Sequence, residues 1–544
     1  MKGGSWVIHS PTVTSTKFWP GTLGRVANHA MVIARLVDGE GIDRGIHNFL
    51  VQIRSMTDHT LMNGVECGDI GPKIGYNNMD NGFARFTHVH IPRRNMAMRF
   101  ATVDERGTYR LQNTSDAASK VAYITMMQVR AHIVNEAGKN LAISCTIAIR
   151  YSALRRQGFG NADQDVSPST QELQILDYKQ QQYRLLPLLA ASYCFFFTGR
   201  HILTKLKSIE QRLVSQKGTV TKTEVGDIHA STSALKSFCT TITADGMEDC
   251  RKSCGGHGFL HCSGLPEIVC SYLQSPTVEG DNQMLPQQVF KVLLKLYHTA
   301  EHGNTQALSE WEVCDASYLI EPIRSYFIVT GTRTAMCRVY SLEEFMNVPN
   351  LLDAYRHRSA RLLVETSREI ENKIKQGSSM NEAWNSSLIR MAKVSQAHSL
   401  YLLIKNFFDG ISSEKARSIG LEEAVVLQDL GTLFALFWIE KDIGDFLEDG
   451  YMNSAHCQLL REAILKMLDK VRPNAVGLVD ARDFSDFRLK SALGRYDGNV
   501  YSSIMETALK EPLNDSEPGE GYKHLKRLIV DGIGVYSGSM SSRL

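Results

Sequence analysis

The chain has 544 residues, room for three or four domains at roughly one per 150 residues and for large buried cores. Sixty basic residues against fifty-eight acidic ones leave a net charge of +2, which provides no global field for nucleic acid or an anionic lipid surface. Eleven cysteines, scattered without a compact framework, argue for a reducing interior compartment rather than secretion, and the opening Met1 to His9 turns polar too soon for a signal peptide.

Residues 5 to about 112 read as strands. Val7-Ile8-His9, Ala30 to Leu36, His47 to Ile53 and Phe83 to Ile91 alternate or run apolar, separated by turn clusters such as Asp38-Gly39-Glu40-Gly41 and Asn77 to Gly82. Helical spacing takes over from about 117 to 306, with long stretches at Met127 to Leu154, Leu173 to Ile209 and Thr232 to Cys254. Within them the apolar run Leu185 to Phe197 carries Pro187, Ser192 and Tyr193 and is shorter than the roughly twenty residues that span a bilayer, so no transmembrane segment is expected. Residues 312 to about 346 form a less regular connector. From 349 to 511 the pattern is helical again, notably Leu351 to Lys375, Trp384 to Phe408 and Leu421 to Phe446. The expected division is a β-domain at 1–115, a helical domain at 116–306, a connector at 307–348, a second helical domain at 349–530 and a tail at 531–544: a mainly α chain with a β-domain. No internal repeat or low-complexity tract is present.

The chemistry concentrates between Cys250 and Asn282. Cys250-Arg251-Lys252-Ser253-Cys254-Gly255-Gly256-His257-Gly258-Phe259 is followed by His261 to Glu267 and then by Thr277-Val278-Glu279-Gly280-Asp281-Asn282. Paired glycines admit a close backbone approach, and one glutamate in an otherwise neutral stretch suits a single base. Read alone, Glu279 is equally a surface turn residue and Gly255-Gly256-His257-Gly258 equally a plain turn. No parallel βαβ unit surrounds these glycines, so they are no Rossmann fingerprint. Cys250, Cys254, His257, His261 and Cys262 are interleaved with the glycines instead of forming spaced ligand pairs, and no metal is expected.

The order of these pieces and their flanks resembles the acyl-CoA oxidases, flavoproteins of the acyl-CoA dehydrogenase superfamily. The resemblance also runs through Ser10-Pro11-Thr12, Lys17-Phe18-Trp19-Pro20-Gly21, Gly68 to Lys73, Asp80-Asn81-Gly82, Ile91-Pro92-Arg93, Leu493 to Tyr501 and Tyr522-Lys523-His524-Leu525. It implies an acyl-CoA oxidase-like fold: a partial β-barrel-type domain followed by two helical-bundle domains. It implies FAD as cofactor, acyl-CoA and molecular oxygen as substrates, trans-2-enoyl-CoA and hydrogen peroxide as products, and a likeness to homodimers. The second helical domain and the form of the glycine turn favour oxidase over acyl-CoA dehydrogenase.

Residue by residue, the resemblance places the base at Glu279, a role that asks burial to raise a carboxylate pKa toward the working pH, with Val278 and Gly280 giving a dry, strand-like approach and a turn. It places Gly21 where a strand passes the flavin ring, with Trp19 equally able to be core. Arg155, in Tyr151-Ser152-Ala153-Leu154-Arg155-Arg156-Gln157, falls where an arginine meets the FAD diphosphate of a neighbouring subunit, the alternative being a helix-surface ion pair. Gly255 and Gly256 fall where the backbone contacts the partner's FAD, with Asn282 nearby. Ser542-Arg543-Leu544 is a variant of the terminal Ser-Lys-Leu peroxisomal signal and implies an import receptor. Relative to the resemblance, about 150 upstream residues are missing. The sequence therefore leaves open a truncated inactive or regulatory subunit that pairs with a full-length partner.

Overall fold

The computed structural model describes residues 4–99, 101–112, 117–159, 170–215, 220–303, 305–328, 336–413, 420–515, 519 and 521–531. The tail tripeptide Ser542-Arg543-Leu544 lies outside the described residues.

Nine strands form the N-terminal domain: β1 Ser5–Ile8, β2 Lys17–Phe18, β3 His29–Val37, β4 Asp43–Gln52, β5 Val65–Asp69, β6 Gly82–Phe86, β7 Val89–Pro92, β8 Ala101–Val103 and β9 Tyr109–Leu111. All pairings are antiparallel: β1 with β7, β3 with β4, β8 with β9, and a three-stranded β2-β6-β5 sheet, none of them closed into a barrel. The expected strand at 83–91 is two strands, because the chain turns at Thr87 and His88, the latter with φ +50°. Alternate residues of these strands, among them Trp6, Ile8, Val32, Phe49, Val51, Ala84 and Phe86, bury one face in a small core.

The helices are α1 Ala117–Leu154, α2 Lys179–Ser215, α3 Lys222–Ser253, α4 Leu265–Tyr272, α5 Leu285–Glu301, α6 Thr305–Ser309, α7 Ile320–Ile328, α8 Leu342–Phe345, α9 Val348–Lys375, α10 Met380–Asn385, α11 Leu388–Ile411, α12 Leu421–Lys441, α13 Ile443–Leu447, α14 Ser454–Val471, α15 Ala475–Asp480, α16 Asp486–Leu489, α17 Val500–Leu509 and α18 Tyr522–Leu525. Helix α1 is buried on all sides over Leu141 to Ile149, as expected of a helix packed against both α2 and α3. Thr221 caps α3 by accepting the backbone N–H of Glu224, and Ser379 with Glu382 forms a capping box at α10. The expected helix at 421–446 breaks at Asp442, and the connector contains α7, which packs on α5 and α9. One described helix, over 179–213, has the length and apolar character of a membrane span, and 72% of its apolar 18-residue window is buried inside the protein.

The two helical regions share one core. Phe195 of α2 packs edge-on against both Phe238 of α3 and Phe434 of α12, and Tyr193 donates its hydroxyl to the Leu478 carbonyl of α15 at 2.6 Å. The β-domain docks on this body through Gly75. A Cβ there would sit 2.3 Å from the Cys270 carbonyl oxygen of α4, so only glycine lets the two backbones meet.

Candidate active site

The candidate residues fall in two clusters along the α1/α3 pair, one against the middle of α3 and one where both helices end. The first is the turn between α4 and α5. Glu279 sits there with φ +56°, a left-handed backbone conformation that costs a non-glycine residue about 1–3 kcal/mol unless its surroundings enforce it. Gly280 follows at φ +105°, packed so closely that a Cβ would lie 2.8 Å from Leu285 Cδ2. Both Val278 and Glu279 are exposed and lie in a turn, so the expected dry, strand-like approach is absent from a single chain: two short turns in succession leave no partner strand to cover them.

Two buried cations lie beneath that turn. Lys236 of α3 is 0% exposed and donates to the Pro276 carbonyl at 3.2 Å, the Gly280 carbonyl at 2.8 Å and Asn282 Oδ1 at 2.9 Å. Arg130 of α1 donates from Nε to the Glu279 carbonyl at 3.0 Å and from Nη1 to Ser233 Oγ at 3.0 Å. Burial, with Arg130 close by, pulls the Lys236 ammonium down to about 8, while Asp281 and Glu279 act in the other direction. Burial also lowers Arg130, against the charge of Glu279.

Asn282 belongs to this cluster. Its amide donates to the Ser237 carbonyl, Thr240 Oγ1 and Thr241 Oγ1 at 2.8–2.9 Å, so both ends of the side chain are engaged inside the chain. Asn282 is anchored on the middle of α3, whereas the Gly255-Gly256 turn follows the C-terminus of that helix, and the chain doubles back through α4 between them.

The second cluster gathers where α1 and α3 end. Tyr151 Oη and His257 Nδ1 are 2.9 Å apart, and Arg155 donates to Tyr501 Oη at 3.3 Å. Among the described residues no carboxylate forms an ion pair with Arg155, whose guanidinium is held up by the Tyr501 contact. Gly255, at φ +62°, and Gly256 face open space, while Gly258 is wedged where a Cβ would sit 2.0 Å from the Arg251 carbonyl oxygen. An unpaired guanidinium beside exposed glycine backbone suits phosphate oxygens. Cys250 and Cys254 are buried; the contact with Cys145 and then burial raise the Cys250 thiol, and burial raises that of Cys254. Among the described residues, the one group of three potential ligands within 4.8 Å of one another is His298, Glu301 and Glu371, remote from these cysteines.

Arg130 and Tyr151 are roughly twenty residues apart on one helix, so the clusters lie up to about 30 Å apart at 1.5 Å per residue. Gly21 lies in the turn after β2, where a Cβ would touch Met79 Sδ at 3.1 Å, in the loop whose Gly75 meets α4. Trp19 is 58% exposed, which disposes of a core role for it in this chain.

Sequence reasoning missed Arg130 and Lys236. Lys236 did leave a signal, as the one Asp, Glu, Lys or Arg between Asp227 and Asp245 in a helix of small and apolar residues. Arg130 left none, since α1 carries other charges and only the fold shows which of them reaches the turn.

A small antiparallel β-domain docked on a large helical body, with a carboxylate turn and a phosphate-suited cluster on the same helix pair, is the architecture of the acyl-CoA dehydrogenase and oxidase class. Residues 123–294 match the family model "Acyl-CoA oxidase, C-alpha1 domain" and residues 347–530 match "Acyl-CoA oxidase". The chain is 38% identical over 529 residues to peroxisomal acyl-coenzyme A oxidase 1 of Rattus norvegicus, covering 97% of this chain and 76% of that protein. It superposes on acyl-CoA oxidase 1 of Arabidopsis thaliana with a TM-score of 0.87 at 37% identity, covering 98% of this chain and 76% of the other. A structure of acyl-CoA oxidase-2 from Caenorhabditis elegans bound with FAD, ascaroside-CoA and ATP gives a TM-score of 0.85 at 30% identity, with 98% and 74% coverage. The chain belongs to the acyl-CoA oxidase family.

Proposed function

We propose that the chain is an FAD-dependent acyl-CoA oxidase that converts acyl-CoA to trans-2-enoyl-CoA and passes the electrons to molecular oxygen, giving hydrogen peroxide in the first step of peroxisomal fatty acid β-oxidation. Family membership over nearly the whole chain supports the reaction. The observation that carries the site is the placement of Glu279 at the apex of a turn fixed by buried cations. There the carboxylate removes the α-proton of the thioester, the step a single positioned base performs. FAD, when bound, supplies the hydride acceptor and the electron path to oxygen. Arg155 and the Gly255-Gly256 backbone would hold its diphosphate, and Gly21, in the turn after β2, would let the β-domain approach the ring system.

The separation of the two clusters, up to about 30 Å along α1, supports a homodimer, since the ribityl arm joining a flavin ring to its diphosphate is far shorter. In that arrangement Arg155 and Gly255-Gly256 of one copy serve the flavin beside Glu279 of the other. The terminal Ser542-Arg543-Leu544 suits recognition by an import receptor.

Substituting Glu279→Gln tests the central assignment. Peroxide formation with palmitoyl-CoA is expected to fall to background while the flavin absorbance of the purified protein is unchanged, and retained turnover removes Glu279 from the role of base.

A further inference from the structure

We infer that Lys236, together with Arg130, is a positioning residue for the reaction: the two cations clamp the backbone of the 276–282 turn and so fix where the Glu279 carboxylate points. The inference rests on the reading of Glu279 as the base.

The geometry of the clamp is specific to that turn. Every oxygen that Lys236 Nζ contacts comes from it, two as carbonyls and one as the Asn282 side chain, and no carboxylate is among them. A fully buried ammonium without a carboxylate in contact is uncommon and needs its hydrogen bonds complete. Those bonds bracket Glu279, at Pro276 on one side and Gly280 and Asn282 on the other. Arg130 then takes the carbonyl of Glu279 itself, so the two consecutive carbonyls of Glu279 and Gly280 are held from two helices. Ser237 Oγ adds a bond to the Asn282 carbonyl at 2.8 Å. The left-handed conformation of Glu279 persists only when its surroundings over-determine it, and this clamp supplies that constraint.

Alternative duties for Lys236 fare worse. It is sealed from solvent, so it is no phosphate ligand for CoA, and its place on α3 is far from the Arg155 cluster. The charged groups facing it are Arg130 from α1 and Glu279 and Asp281 from the turn. It therefore acts through the turn and not on substrate.

The test compares the wild type with Lys236→Met and Arg130→Lys as full-length, flavin-loaded proteins, with Glu279→Gln alongside. Two quantities are read: hydrogen exchange of the amides at 277–282, and kcat separately from KM with palmitoyl-CoA. A loosened clamp predicts exchange about tenfold faster in this turn. It also predicts a kcat lower by on the order of 10- to 100-fold, the cost of misplacing a reacting group, with KM little changed. If Lys236→Met fails to fold, Arg130→Lys carries the test, since it keeps the positive charge and loses the Nε donor to Glu279. A folded variant with unchanged exchange and unchanged kcat overturns the clamp while leaving the base assignment standing. Turnover retained by Glu279→Gln overturns the base assignment instead, and the exchange data still decide whether the clamp holds the turn.

Discussion

Lys205 is the best place to test how firmly α3 is anchored. Its ammonium lies 3.2 Å from Asp227 Oδ2 and 2.7 Å from Asp315 Oδ1, and Asp227, 1% exposed, also accepts the backbone N–H groups of Asp315 and Ala316 at 2.8 and 3.0 Å. Burial and the neighbouring Asp315 raise Asp227 to about 6 against the pull of Lys205, whereas in Asp315 the effect of burial is outweighed by His201 and Lys205, which lower it. Lys205→Met leaves two buried carboxylates facing one another. Removing one partner of a buried pair costs about 3–5 kcal/mol, and at pH 8 the full cost is expected. The sign of the pH effect follows from linkage. A carboxyl raised above its unfolded value favours the folded state at low pH and loses that contribution as pH rises through the folded value. Without Lys205 that folded value climbs further. Each pH unit over which the variant holds a proton that the wild type lacks returns about 1.4 kcal/mol, so going from pH 8 to pH 6 should restore roughly 2–3 kcal/mol. Equilibrium urea unfolding followed by far-UV circular dichroism at both pH values measures this. An equal penalty at pH 6 and pH 8, or no penalty at pH 8, refutes the reasoning.

Two further outcomes are expected. Arg155→Gln removes a charge-assisted contact worth about 1.5–3 kcal/mol, so the FAD dissociation constant of the apoprotein, read by flavin fluorescence titration, should rise roughly 10- to 150-fold; unchanged affinity would take Arg155 away from the diphosphate. Gly75→Ala drives a Cβ to within 2.3 Å of the Cys270 carbonyl oxygen, so peroxide turnover should drop while the urea midpoint of the helical body stays put, and full turnover would show that the docking loop gives way freely.

Fold class and strand positions were legible because their period-two and helical patterns are strong over β3, β4, α1 and α9. The break of the last strand at His88 was not, since a non-glycine residue at positive φ leaves no local signature. Likewise the helical regions read as separate bundles, and nothing local in Phe195 or Phe434 announces that each faces the other across a shared core. At the site, Glu279 and the glycines were found through motif order. Their distance from each other was not, because it depends on α4 turning the chain back along α3. Lys236 and Arg130 stayed hidden for a related reason: a buried cation is defined by its acceptors, and here every oxygen acceptor is contributed by a residue about 40, 100 or 150 positions away.

The spacing between the two clusters is only meaningful if the helices that set it are stiff, and the packing of α1 on α2 indicates that they are. Gly138 of α1 lies so close to α2 that a Cβ would fall 2.9 Å from both Phe196 N and Ser192 O, and Gly199 of α2 returns the contact, with a Cβ 2.8 Å from Asn135 Cα. These reciprocal glycines let two backbones touch over adjacent turns, where close-packed interiors resist sliding. Thr243 of α3 reinforces the group by donating to the Ala137 carbonyl at 3.3 Å, one residue from Gly138. The three long helices are therefore locked midway between the clusters. A displacement at the Arg155 end cannot be absorbed by bending there and must be carried to the Glu279 turn or resisted outright. In a dimer built as proposed, each flavin would thus be held between two points on rigid rods, its ring beside one copy's turn and its diphosphate on the other's. That arrangement keeps the thioester and the base in register without requiring the β-domain to do more than dock through Gly75.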